Sequence, residues 1–223
     1  MHFITSNTTL NMPFLREISP FCGIRAGIWH ITESDAELRS MVGLTAGEEL
    51  RCDSFLNELR KKQWLACRVL IRHLLPRETS PVIYDIHGKP SLASGIHHIS
   101  FSHAGDCAAA VCSAEFPVGI DIEKLRDRVE RVKERFMVQA ELDALDKRCR
   151  LEHLYLHWCG KEALYKLNGK PVLDFRNDIY IHPFDYLCNT NNQCNATMTI
   201  DGKTHDHVLH SLKMEDYMVV VAH

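Results

Sequence analysis

The sequence predicts an α+β protein built as a pseudo-duplicated pair of halves. Each half has helices packed on an antiparallel sheet, and the active site is expected in the crevice between them. Three observations lead there. Helical stretches precede runs of short strands twice along the chain, once in each half. Turn dipeptides such as Gly105-Asp106 and Asp201-Gly202 separate successive strands, as antiparallel neighbours require. Glu115-Phe116-Pro117 forms a joint between the two patterns, giving halves at residues 1–115 and 116–223.

The composition suits such a fold. The chain has 223 residues, 45% apolar and 25% charged, enough for a sizeable core and far from a disordered composition. A net charge of -3 argues against binding nucleic acid by bulk charge. Nine cysteines without a C-x-x-C pair read as reduced thiols. The first residues lack the basic and apolar regions of a signal peptide, and no apolar run approaches the length of a membrane span. A cytoplasmic protein with no membrane segment is therefore expected.

In the first half, residues 1–20 read as a loose lead-in and Cys22–Ile31 as an opening strand. A helix begins near Ser34, with Asp35 and Glu37 placed to suit its dipole. A second helical stretch, Ala46–Leu74, is expected to break near Asp53 or Asn57, and Pro76 stops it. Trp64, Leu65, Val69, Leu70 and Ile71 give it an apolar face, while Arg60, Lys61, Lys62, Arg68 and Arg72 are basic. Most of these five read as a solvated face, with one or two as candidates to serve a phosphate instead. Val82–Ile86 is a short strand before the turn His87-Gly88-Lys89-Pro90. His97–His103 and Cys107–Cys112 form a hairpin, with Ser102 and His103 at the end of its first strand. No Gly-x-Ser-x-Gly accompanies them, which disfavours a serine hydrolase.

In the second half, alternation over Val118–Glu123 puts Val118, Ile120 and Ile122 on one face and Gly119, Asp121 and Glu123 on the other. Two carboxylates then project side by side, as on an acidic edge strand or at a cation site. Val129, Val132 and Phe136 suggest a short surface helix in a strongly charged stretch, with another helix opening near Gln139. A long helix closes at Gly169. Its periodicity aligns Leu151, Leu154, Tyr155, Trp158, Glu162 and Tyr165, so a carboxylate continues an apolar stripe with Lys166 one turn on. Asp178–Ile181, Ala196–Ile200, His207–Leu212 and Tyr217–Ala222 read as strands.

Glu162 and Lys166 by themselves are also an ordinary i, i+4 surface pair. Together with Asp121 and Glu123 they offer three carboxylates for one hard cation such as Mg²⁺, with Mn²⁺ as an alternative. Lys161, Lys166, Lys89, Ser102 and His103 supply donors around it. That set suits a phosphate or pyrophosphate substrate, because phosphoryl transfer depends mainly on positioning and charge neutralisation. Two rival readings use the same residue types. One is a Mg²⁺-dependent phosphohydrolase. The other is a non-enzymatic metal-binding protein using Cys149, His153 and His157, spaced i, i+4, i+8.

His87-Gly88-Lys89-Pro90, Ile99-Ser100-Phe101-Ser102-His103, Gly119-Ile120-Asp121-Ile122-Glu123 and Trp158-Cys159-Gly160-Lys161-Glu162-Ala163-Leu164-Tyr165-Lys166 occur in an order and spacing that resembles the 4′-phosphopantetheinyl transferases. The two-half layout is similar to their larger, monomeric class, the surfactin-synthetase-activating type. The resemblance covers residues 60 to 170. It implies transfer of the phosphopantetheine arm of coenzyme A to a serine of an apo acyl or peptidyl carrier protein, with release of adenosine 3′,5′-bisphosphate. It also implies roles. Asp121, Glu123 and Glu162 hold the metal, with Asp121 also beside the coenzyme. Glu162 takes the serine proton, and Lys166 serves the leaving side. Ser102, His103, Lys89 and Lys161 contact coenzyme A, as do Arg68 and Lys61, although Gln63 stands where some members carry arginine. Residues 1–115 would then hold the nucleotide end and 116–223 the metal.

Overall fold

The computed structural model describes residues 15–170 and 173–223. Its first half pairs four antiparallel strands in the order β1-β2-β6-β5. These are β1 (Leu15–Phe21), β2 (Ile24–His30), β5 (His98–Ala104) and β6 (Cys107–Ser113). Three helices lie between β2 and β5: α1 (Asp35–Val42), α2 (Ala46–Asp53) and α3 (Glu58–Leu74). A small hairpin of β3 (Val82–Tyr84) and β4 (Pro90–Leu92) follows α3.

Each helix start has a local cause. Ser34 and Thr45 form capping boxes with Glu37 and Glu48, and the Asn57 side chain accepts from the Arg60 N–H. That last cap restarts the chain after α2, so the stretch Ala46–Leu74 is two helices. The expected loose lead-in is overturned for residues 15–20, which form β1, an edge strand with a register shift between Ile18 and Phe21. Its polar residues and Pro20 conceal it from pattern reading, since an edge strand needs only one bonded side. The remainder of that lead-in lies outside the described residues.

The second half pairs five strands in the order β7-β11-β10-β9-β8. These are β7 (Gly119–Lys124), β8 (Ile179–Ile181), β9 (Asn192–Ile200), β10 (Lys203–Met214) and β11 (Tyr217–Ala222). Short α4 (Gln139–Asp143) and long α5 (Arg150–Asn168) precede β8. The expected surface helix at Val129–Phe136 is instead two short 3₁₀ turns, Asp127–Arg131 and Lys133–Arg135. Val129 and Phe136 are buried, so the tight turns serve to seat apolar anchors beneath charged neighbours.

Three apolar clusters hold the layers. α3 packs on the outer face of the first sheet through Leu65, Leu70, Ala108 and Ala110. α5 packs on the outer face of the second through Leu154, Ala163, Met218 and Val220. Between the sheets, Ile28, Ala109, Ile120, Val219 and Val221 form a third core. The order of layers is helix, sheet, sheet, helix, and β5 and β7 meet where the sheet edges adjoin, with the Ile120 N–H donating to Ser100 Oγ (3.3 Å).

The thiols differ from expectation at one place. Cys149 and Cys188 are joined as a disulfide, with Cα atoms 5.8 Å apart, while the other seven cysteines are free. The pairing spans 39 residues and depends on the loop before β9 folding back over the start of α5, which spacing does not show.

Candidate active site

Gly119 sets the geometry. A Cβ there would lie 1.9 Å from the Ala163 carbonyl oxygen, so only glycine lets β7 run directly against α5. Two residues on, Asp121 faces the helix and meets Lys166. Lys166 Nζ donates to Asp121 Oδ1 (2.7 Å), to Ser102 Oγ (2.9 Å) and to the Ile120 carbonyl (3.2 Å). Ser102 Oγ donates to the same Asp121 oxygen (2.8 Å). Three elements from both halves therefore converge on one carboxylate.

A cavity of about 390 Å³ opens over this junction. Asp121, Glu123, Glu162 and Lys166 line it from the second half, and Arg60, Arg68, Ser102 and His103 from the first. Burial and the neighbouring Asp121 push Glu162 up to about 7, with Lys166 opposing them. Glu123 is also raised, again chiefly by burial and Asp121. Burial together with Arg60 and Lys166 depresses His103 to about 4, so its imidazole is neutral at pH 7.

The carboxylates share the cavity without closing on one point. Among the described residues, Asp121, Glu123 and Glu162 do not bring three oxygens within 4.8 Å of one another. Lys166 takes the place a cation would occupy at Asp121 Oδ1. The opposite oxygen, Asp121 Oδ2, is buried with no hydrogen-bond partner among the described residues. An orphaned carboxylate oxygen among raised carboxylates is a donor set that fits a hard divalent cation, which would satisfy it and lower both glutamates.

The remaining expected residues divide. Lys89 donates to the Leu167 carbonyl (2.6 Å) at the end of α5, and it lines a cavity of about 230 Å³ that shares Gly88, Pro90, Phe101 and Lys166 with the first. Gly169, at φ +70°, makes room for it, since a Cβ there would lie 2.3 Å from Lys89 Cδ. Arg68 lies over the Trp64 ring and pairs with Glu48 (3.4 Å), so its wall position comes with a structural partner. Lys61 pairs with Glu58 (3.0 Å) and is not on the cavity wall.

Lys161 is directed away from the cavity and fully buried. It donates to Glu141 Oε2 (2.9 Å) and to the carbonyls of Phe175 (2.9 Å) and Ile179 (2.7 Å). Burial alone would raise Glu141, but His157, Lys161 and the Ile181 N–H together hold it below its usual range. The physical reason is helix phase: consecutive residues are turned by about 100°, so Glu162 and Lys161 cannot share a wall. The proposed Cys149, His153 and His157 ligand set is likewise not assembled. Cys149 is in the disulfide, His153 stacks on Tyr186, and His157 lies beside Glu141.

Arg60, one of the five basic residues of that helical stretch, lines the cavity although the sequence reading assigns Arg68 and Lys61 to the coenzyme instead. Its guanidinium contacts His103 Nε2 across the cavity rim. The signal was present, because Arg60, Trp64 and Arg68 recur at i, i+4, i+8 and share one face that Lys61 does not.

Residues 117–222 match the model of the 4′-phosphopantetheinyl transferase superfamily. The 4′-phosphopantetheinyl transferase AcpT of Escherichia coli strain K12 is 35% identical over 119 residues, covering 49% of this chain and 59% of that protein. The transferase psf-1 of Bacillus pumilus is 34% identical over 128 residues (53% and 54%). The transferase Sfp of Bacillus subtilis strain 168 is 28% identical over 142 residues (59% and 63%). The chain covers less than two thirds of the length of each of these relatives.

Proposed function

We propose that this chain, whose residues 117–222 match the 4′-phosphopantetheinyl transferase superfamily, is a member of it and moves the phosphopantetheine arm of coenzyme A onto a serine of an apo acyl or peptidyl carrier protein. One observation carries the reading. A single cavity takes Asp121, Glu123, Glu162 and Lys166 from one half and Arg60, Ser102 and His103 from the other. An anionic pyrophosphate bridging the crevice would meet acid–base groups at one end and phosphate-binding groups at the other.

In this mechanism the serine oxygen forms a bond to the phosphorus bearing the pantetheine arm, and the bond from that phosphorus to the bridging oxygen breaks. Glu162 removes the serine proton; its carboxyl, at about 7 with no metal beside it, would be lowered by a bound cation, which keeps the ionised base populated at neutral pH. Lys166, already at the carboxylate junction, neutralises the departing adenosine 3′,5′-bisphosphate. Arg60 and His103 hold the 3′-phosphate, and Lys89 meets the nucleotide from the adjoining cavity. Asp121, Glu123 and Glu162 would hold Mg²⁺, or Mn²⁺ in its place, which when bound neutralises and orients the pyrophosphate. Residues 1–115 then serve the nucleotide and 116–223 the metal and the chemistry, in a monomer acting in the cytoplasm.

The test is to incubate the protein with an apo carrier, coenzyme A and Mg²⁺, and to weigh the carrier by mass spectrometry. Addition of one phosphopantetheine arm supports transfer. Release of the bisphosphate without any carrier would make the protein a phosphohydrolase, and an unmodified carrier with intact coenzyme A would overturn both.

A further inference from the structure

His210 on β10 and His223 just beyond β11 lie on the same face of the second sheet, and neither lines the candidate active-site cavity. Their positions are fixed by the ladder, in which Val208 and His223 exchange backbone hydrogen bonds of 3.0 and 3.1 Å. The two Nε2 atoms are 3.2 Å apart. The ring centroids are 5.3 Å apart and the planes differ by 11°. The nitrogens are thus much closer than the centroids, so the rings meet Nε2 edge to Nε2 edge.

Two opposed imidazole nitrogens share either one proton or one metal ion. Zn–N bonds of about 2.0–2.1 Å at a tetrahedral angle set two nitrogens roughly 3.3–3.4 Å apart, within a few tenths of the separation here. Burial lowers both histidines below their usual range, leaving neutral rings with the lone pair that a ligand needs. Phe21 stacks on His223 at 4.8 Å and holds that ring from the first half. His210 also borders a cavity of about 410 Å³ that reaches Asn191 and Gln193.

We propose that His210 and His223 form a binding site for a divalent transition-metal ion of the zinc class, pre-set by the β10–β11 ladder and separate from the carboxylate site. Imidazole selects such ions, whereas Mg²⁺ prefers oxygen, so the two sites discriminate by ligand type. Filling this one requires no change at Asp121, Glu123 or Glu162.

The full chain, stripped with EDTA and kept in excess Mg²⁺, would be titrated with Zn²⁺ against a chelating indicator. His210→Asn and His223→Asn would be compared with the unaltered protein after circular dichroism confirms their fold. Each variant is expected to weaken one zinc equivalent by about 10–100-fold or more, at least the cost of losing a ligand's supporting partner. Unchanged stoichiometry and affinity in both would overturn the site. In the unaltered chain, Zn²⁺ should move the ¹⁵N imidazole resonances of these two histidines, and movement confined to other histidines would also overturn it. With Co²⁺ as probe, a thiolate charge-transfer band that survives in both variants would assign the ion to cysteine instead.

Discussion

Lys166 on α5 holds Asp121 on β7 at 2.7 Å, a contact across 45 residues that fixes the helix to the strand at the floor of the crevice. The carboxylate is buried and its second oxygen has no partner among the described residues, so the ammonium is the charge that makes its burial tolerable.

Replacing Lys166 with methionine should therefore do two things. Transfer falls sharply, and the acid limb set by Glu162 moves to higher pH, because Lys166 is the group that opposes its upward shift. A pH–rate profile checks this; a profile displaced toward acid would contradict the assigned coupling.

Glu162→Gln should retain the fold and lose about 10²–10⁴-fold in turnover. The stability sign is also fixed. A carboxyl whose folded pKa is raised to about 7 binds its proton more tightly in the native state, so its contribution is present at low pH and lost as pH rises through 7. In metal-free buffer the glutamine variant should gain melting temperature over the parent at pH 8 and little near pH 4. Mg²⁺ should shrink the gain, by favouring the ionised parent.

His103→Ala and Arg60→Ala should raise the apparent KM for coenzyme A with a smaller effect on kcat. Dephospho-coenzyme A, which lacks the 3′-phosphate, supplies the control. If the variants lose as much against that substrate as against coenzyme A, the phosphate-holding role is wrong.

Lys161→Met leaves Glu141 buried and unpaired and should cost about 3–5 kcal/mol in denaturant unfolding. Adding Glu141→Leu should recover part of that loss, although the Ile181 N–H then lacks its acceptor. Equal stability of Lys161→Met and the parent would show that the pair does not anchor the helix.

Gly119→Ala should destabilise by about 1–3 kcal/mol or more, as overpacking does, because the added carbon meets the helix backbone rather than a movable side chain. Thermal unfolding reads the loss directly.

Much of this site was legible from the chain alone. Alternation over Val118–Glu123 told which side chains face together, and the 3.6-residue period turned Glu162 and Lys166 toward a common side. Both depend on local backbone geometry. The same periodicity turns Lys161 off that side, and only its adjacency to Glu162 and the family resemblance put it in the site; its buried partner Glu141 has no local signature. The strand at Leu15–Phe21 was hidden for a related reason: its stability comes from β2, not from its own pattern.

By itself the sequence determined the alternating helix and strand segments, the hairpin turns and the chemical types of the cavity residues, since each follows from neighbours within a few positions. Only the tertiary structure decided which cation faces which carboxylate. Lys166 reaches Asp121 while Lys161 reaches Glu141, Arg60 rather than Lys61 meets His103, and Cys149 finds Cys188. Those choices were made by the packing of α5 on β7 and of sheet on sheet, where burial makes each charge select a partner that no short-range pattern records.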